Sequence, residues 1–132
     1  MTVGATTDTL ACGLAFAEAY AAGDEVRLET LLAPDVRQRE IAPGEIVKLR
    51  GAPEVLREAR EFLAAYDSHE TLAVDVERVG ERVRAGTRWR LRRGDDAWIV
   101  EWWEFLTVDD GRISAIDVVC SGAVREAGAG AA

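Results

Sequence analysis

The chain has little with which to cross-link itself: two cysteines, Cys12 and Cys120, and one histidine, His69, in 132 residues. Neither cysteine has paired-ligand spacing, and one histidine cannot complete a set of soft ligands. A structural zinc is therefore excluded, and no metal or other cofactor is expected. No partner base accompanies either thiol, so a cysteine nucleophile has no support. The two read as buried inert thiols, although a first helix crossing the last strand would bring them together. Long apolar runs are missing as well. The Ala-rich stretch Leu10 to Ala22 is interrupted by Glu18 and no basic segment precedes it, so neither a signal peptide nor a membrane-spanning helix is expected and the chain reads as cytoplasmic. Positive charge is in deficit. A net charge of −8 disfavours nucleic acid as a partner, because phosphate binding draws on clustered Lys and Arg that release counterions. Seven arginines do fall between Arg78 and Arg93, but they alternate with Val, Ala, Trp and Leu, the pattern of a solvated or salt-bridged strand face.

What is present is an ordinary globular balance, 48% apolar and 30% charged, at a length that suits one domain able to bury a core. The expected layout is a single domain over 1–132, with its core from about 8 to 122 and a flexible tail over 123–132. Thr7, Asp8 and Thr9 offer N-caps to a helix in which Leu10, Leu14, Ala17 and Ala21 repeat at helical spacing until Gly23 stops it. Asp24 caps a shorter second helix carrying Val26, Leu28, Leu31 and Leu32, which Pro34 closes. Residues Val36 to Leu49, interrupted by Pro43-Gly44, read as a short strand and a loop. Gly51-Ala52-Pro53 opens a third helix that runs to about Ala65, with Val55, Leu56, Ala59, Phe62 and Leu63 on one stripe.

From Thr71 the period changes to two. Leu72 to Val76, Val83 with Ala85, Trp89 with Leu91, Trp98 to Val108 and Ile113 to Val119 are punctuated by Gly80-Glu81, Gly94-Asp95 and Asp109-Asp110-Gly111, the chemistry of hairpin turns. This predicts an antiparallel meander of four strands, to which the strand near Val36 adds a fifth or a short pair. Helices first and a long antiparallel sheet last define the expected class: α+β, with three N-terminal helices packed in the concave face of a curved antiparallel sheet.

Four landmarks follow one another in the order AFAEAYAAGD (Ala15 to Asp24), LLAPDV (Leu31 to Val36), Gly51 ahead of the third helix, and WEFLTVDDGRI (Trp103 to Ile113). In this succession the chain resembles the SnoaL-like and ketosteroid isomerase-like branch of the nuclear transport factor 2 superfamily, over about residues 10 to 122. The resemblance implies a cystatin-like cone around a small-molecule pocket. It also implies that Glu40 stands where ketosteroid isomerases carry their general-base aspartate. The family's tyrosine on helix one and protonated aspartate on the third long strand match Phe16 and Trp103 here, which disfavours steroid-type enolisation. The acidic residue that SnoaL-like cyclases carry on the last strand matches Val118, with Asp117 next to it and on the opposite face unless a bulge shifts the register.

The residues themselves leave alternatives. Glu40 either faces an apolar cone, where desolvation raises its pKa toward neutrality, or pairs with Arg37 or Arg39 at the surface. A two-residue turn at Gly94-Asp95 pairs Arg93 with Asp96, and counting outward pairs Arg88 with Glu101. That ion pair is either a polar anchor inside the pocket, on a face shared with Ile99, Trp103 and Phe105, or an outer-face pair. Tyr20 either directs its hydroxyl into the cavity or is a core tyrosine bonded to backbone. His69 sits either at the pocket rim or in an exposed loop. The tryptophans at 89, 98, 102 and 103 occupy both faces of two adjacent strands, so one face is expected to line the cone and the other to be covered by a homodimer partner.

The reading is an enzyme that needs no cofactor, a cyclase, isomerase, dehydratase or epoxide-opening enzyme. Its substrate would be a small apolar molecule of the polyketide type that the resemblance implies. Glu40 and Glu101 would serve as acid and base, with Phe16, Tyr20, Arg88, Trp103, Phe105 and Val118 around the substrate. The alternative from another class is a non-catalytic ligand-binding or dimerisation module on the same scaffold.

Overall fold

The computed structural model describes residues 2–126, with side chains from residue 9 onward. Among these residues the order is α1 (Thr2–Ala22), α2 (Glu25–Leu31), β1 (Leu32–Ala42), β2 (Glu45–Arg50), α3 (Ala52–Ala64), β3 (Ser68–Val79), β4 (Arg82–Arg93), β5 (Asp96–Asp109), β6 (Arg112–Cys120) and β7 (Val124–Arg125). Helix α1 begins well ahead of the expected caps at 7–9 and ends as expected at Gly23, whose φ of +67° is cheap only for glycine. Asp24 then accepts a hydrogen bond from the Arg27 backbone N–H at 3.1 Å, capping α2. That helix stops at Leu31, before Pro34, because the chain turns extended at Leu32.

Two features of the expected class change. The sheet is curved but mixed, in the order β2-β1-β6-β5-β4-β3, and β1 runs parallel to β6 while the other pairs are antiparallel. A parallel neighbour needs a long crossover, and β2, α3 and the β3–β5 meander supply it. Second, α3 follows β1 and β2, so only two helices precede the sheet. The segment expected as a short strand and loop is a full β1–β2 hairpin turning at Pro43-Gly44, with Glu40 paired to Val47 and Ile41 to Ile46.

The meander has the expected turns. Arg93 pairs with Asp96 and Arg88 with Glu101. Beyond β6, β7 pairs Val124 with Ile99 and Arg125 with Trp98, and Arg90 holds the Glu126 carboxylate at 2.9 and 3.0 Å. Residues 127–132 lie outside the described residues.

The faces of the sheet are set by β4. Val83, Ala85, Thr87, Trp89 and Leu91 are buried toward the helices, whereas Arg82, Arg84, Arg88, Arg90 and Arg92 project outward into ion pairs. Pairing carries this alternation into β5, so Trp102, Glu104 and Leu106 point inward and Glu101, Trp103 and Phe105 outward. Helix α1 crosses β4 closely at Gly13, where an added Cβ would meet Val83 Cγ1 at 2.4 Å. The inner layer is completed by α3, which buries Ala52, Val55 and Leu56.

Candidate active site

A narrow cleft opens between α1, α3 and the inner face of the sheet, with a cavity volume of about 40 Å³. Phe16 and Tyr20 line it from α1, Leu28 from α2, Gln38 and Glu40 from β1, Leu56, Glu58 and Phe62 from α3, and Trp102 and Ile116 from the sheet. Its aromatic side chains form one packed set: Tyr20 lies 5.6 Å from Phe16, 5.5 Å from Trp89 and 6.3 Å from Trp102, and Phe62 stands edge-on to Trp102 at 5.2 Å. His69 belongs to the same set. Instead of an exposed loop it occupies β3, its ring 4.5 Å from that of Trp89.

Glu40 lines the cleft, half-buried. Its nearest hydrogen-bonding contact is the Gln38 amide at 3.5 Å, and no ion pair joins it to Arg37 or Arg39 among the described residues. Burial pushes its pKa up, and the charges of Glu58 and Glu45 add to this. An irregularity in the β1–β6 pairing between Leu32 and Arg37 sets the register that turns Glu40 inward.

The second acid is one strand away from where the family pattern was matched. Val118, on the inner face of β6, pairs with Glu40 on one side and with Glu104 on the other. The two glutamates therefore share a face with one strand between them, roughly 10 Å apart at their backbones. Glu104 is 4% exposed and makes no ion pair or hydrogen bond among the described residues. Burial, and then the charge of Glu40, push its pKa up to about 8. The Tyr20 hydroxyl is raised well above its ordinary value by burial and then by Glu104 and Glu40, which places it in the field of both carboxyls.

The structure thus brings together Glu40, Phe16, Tyr20 and Val118. It separates the other four sites named from the sequence. Glu101 lies on the outer face, where Trp103 Nε1 donates to it at 2.9 Å and Arg88 at 3.0 and 3.2 Å, and these partners hold its carboxyl below the ordinary range. Trp103 is 47% exposed and stacks under the Arg84 guanidinium at 4.8 Å, while Phe105 lies beneath Arg82. The counted pairing of Arg88 with Glu101 is therefore present, but on the outer face. The indole that enters the cleft is Trp102, and the acid on the same face is Glu104. The arginines of β4 carried the missed signal: they must face water, and the same hairpin count then sends Glu101, Trp103 and Phe105 outward with them. Asp117 also points outward, between Arg39 at 3.1 Å and Arg82.

Cys12 and Cys120 are buried free thiols, each raised in pKa chiefly by burial. Among the described residues no three His, Cys, Asp or Glu side chains gather as a metal site, and no helix is long and apolar enough to cross a membrane.

A curved sheet wrapped on three helices, with an aromatic cleft walled by Glu40 between them, is the architecture of the nuclear transport factor 2-like fold. Residues 14–116 match the SnoaL-like domain family, and the chain belongs to it. The fold is similar to that of a candidate polyketide cyclase from Xanthomonas campestris pv. campestris, with 16% identity, a TM-score of 0.71, and coverage of 87% of this chain and 91% of that one. It is similar to an LEH-like epoxide hydrolase of M. tuberculosis, with 20% identity, a TM-score of 0.66 and coverage of 88% and 84%. A protein of ketosteroid isomerase-like fold from Catenulispora acidiphila, solved with trimethylamine, matches at 17% identity, a TM-score of 0.68 and coverage of 84% and 85%. No curated protein matches the chain in sequence. Identities this low establish the fold, and the activity has to be argued from the site.

Proposed function

We propose that the chain is an enzyme that moves protons on a small, largely apolar molecule, in a cyclisation, isomerisation, dehydration or epoxide opening. The observation that carries this reading is Glu104, a buried carboxyl without a cationic partner among the described residues, whose pKa of about 8 keeps it protonated at neutral pH. Such a group donates to an oxygen on which negative charge develops, a carbonyl or an epoxide, and the Tyr20 hydroxyl is a second donor beside it. Glu40, on the cleft wall, takes the proton from carbon or from an attacking hydroxyl and returns it. The two carboxyls have different roles because their environments differ. The structural neighbours named for cyclase and epoxide hydrolase activity, and the one that holds trimethylamine, support a small-ligand pocket.

This reading predicts a rate that needs Glu40 ionised and Glu104 protonated. With a turned-over substrate in hand, kcat/KM is expected to fall at acid pH as Glu40 gains its proton, and to fall again above about 8 as Glu104 loses its own. A rate that stays level through pH 9 removes Glu104 as the donor.

A second reading, a ligand-binding module, draws on the indoles of Trp89 and Trp102, which pack edge-to-face at 5.0 Å and fill much of the interior. Tight binding of ligands that are never turned over distinguishes it.

The proposed partner is a second copy of the chain, joined through the outer face of the sheet. Ile46, Ile41, Val119 and Trp103 lie in one row across four strands, 69%, 59%, 53% and 47% exposed. The next row carries both signs of charge in Arg39, Asp117, Arg84 and Glu77, which suits a self-complementary two-fold contact. Burying such a stripe contributes roughly 25 cal/mol per Å² before association costs. Light scattering is expected to show a dimer at micromolar concentration and a monomer for Trp103→Glu. A monomeric parent rules the interface out.

A further inference from the structure

The acidic groups at the cleft have no cationic counterpart among its lining residues. Glu40 and Glu58 line it, and Glu104, 4% exposed, lies behind on the same face. No Arg or Lys lines it among the described residues. Arg60, which follows the lining residue Ala59 on α3, is held at 2.8 and 3.1 Å by Glu25, and Arg39, next to Glu40, is held by Asp117 at 3.1 Å. Glu40 is the half-buried carboxylate of this set, and a partly buried charge is ordinarily paired, because leaving it unpaired is costly. The wall of the cleft is aromatic: Phe16 and Tyr20 on one side, Phe62 and Trp102 on another. Ring faces and anionic oxygens attract the same ligand chemistry, a compact organic cation whose alkyl groups tolerate an apolar surround.

We propose that the cleft takes a small organic ammonium compound, with its cationic nitrogen between Glu40 and the rings of Tyr20, Phe62 and Trp102, and its apolar remainder toward Phe16 and Leu28. This rests on the reading of the cleft as the ligand site and names the class of molecule bound there. It does not require turnover. The cation supplies the countercharge that the cleft lacks, and its apolar part matches the rest of the lining.

Four elements face Glu40. From α3 comes Glu58, from β2 Glu45, from α1 the Tyr20 hydroxyl and from β6 Cys120, with Glu104 of β5 beyond Val118 and Gln38 on its own strand. All the ionisable groups in this set become more negative as pH rises. A permanently charged ligand is therefore expected to bind more tightly at pH 9 than at pH 5.

The test uses choline, tetramethylammonium and 3,3-dimethylbutan-1-ol, the last being the neutral carbon isostere of choline. Binding is followed by amide and indole NMR shifts at the cleft residues of the full chain. Choline is expected to bind at least about tenfold more tightly than the alcohol at pH 8, a difference of about 1.4 kcal/mol, and to weaken toward pH 5. Two variants remove the same unit of charge. Glu40→Gln is expected to abolish most of the preference, whereas Glu101→Gln, on the outer face, leaves it unchanged. Thermal melts of both variants show whether each is folded, and tetramethylammonium, which lacks the hydroxyl, tests whether the cation alone suffices. The proposal is overturned if the alcohol binds as tightly as choline, if both variants weaken binding equally, or if neither cation shifts a cleft signal. An apolar acid/base substrate turned over in a cleft that shows no cation preference would leave the enzymatic reading standing and remove this one.

Discussion

Glu104→Gln is expected to be the more stable protein at alkaline pH, by several kcal/mol, and no more stable than the parent in acid. The sign follows from where the proton sits in each state. In the unfolded chain the carboxyl ionises at its ordinary 4.5, but in the folded chain it holds its proton up to about 8. Below 4.5 both states are protonated and burial of the acid carries no ionisation penalty. Between 4.5 and 8 the unfolded state ionises alone, so stability falls steadily as pH rises. Above 8 the folded state carries the charge in an apolar site and the loss levels off, on the order of 4–5 kcal/mol. Glutamine removes this slope while keeping the shape and one hydrogen-bonding amide. For a chain of this size the melting temperature at pH 9 should then rise by about 10 °C or more relative to the parent. Parallel stability curves for the two proteins from pH 4 to 9 would show that Glu104 titrates normally.

The second large effect is on rate. Glu40→Gln fills the same space and keeps a polar contact with Gln38, but it cannot accept a proton. Turnover should drop by about 10²- to 10⁴-fold, the usual loss when a general base is removed. Affinity for a neutral substrate should change little. Stability should change modestly, because Glu40 is only half-buried and makes no ion pair among the described residues. Unchanged turnover takes Glu40 out of the mechanism and leaves Glu104 and Tyr20 as the polar groups of the site.

Much of the fold and part of the site are legible in the chain. The turn chemistry of Gly94-Asp95 determines the β4–β5 register residue by residue, so the pairing of Arg88 with Glu101 follows from counting along the two strands. The resemblance matched Glu40 to the family's general-base position, and of the two placements that the residues left open, the side chain has the one on the cleft wall. What the sequence obscured was which face of β5 is the inner one, because Trp98, Trp102 and Leu106 on one side and Ile99, Trp103 and Phe105 on the other are almost equally apolar. Hydrophobic alternation cannot orient a strand that is apolar on both faces. Its neighbour could, since the arginines of β4 have to face water. The parallel docking of β1 against β6 was out of reach for a different reason: it depends on a crossover of roughly seventy residues, far longer than the dozen or so a parallel pair requires, and on an irregular register near Leu32, and no local pattern encodes either.

The proposed chemistry turns on a carboxyl on β5 that stays protonated at neutral pH on the inner face of the sheet, behind the cleft wall. Carbon-13 NMR of the glutamate side-chain carboxyls, with the Glu104 resonance assigned by its loss in Glu104→Gln, reads this directly. The expected result is a titration midpoint near 8 for Glu104, moving down when Glu40→Gln removes the neighbouring charge. A midpoint near the ordinary 4.5, unaffected by Glu40→Gln, would contradict it.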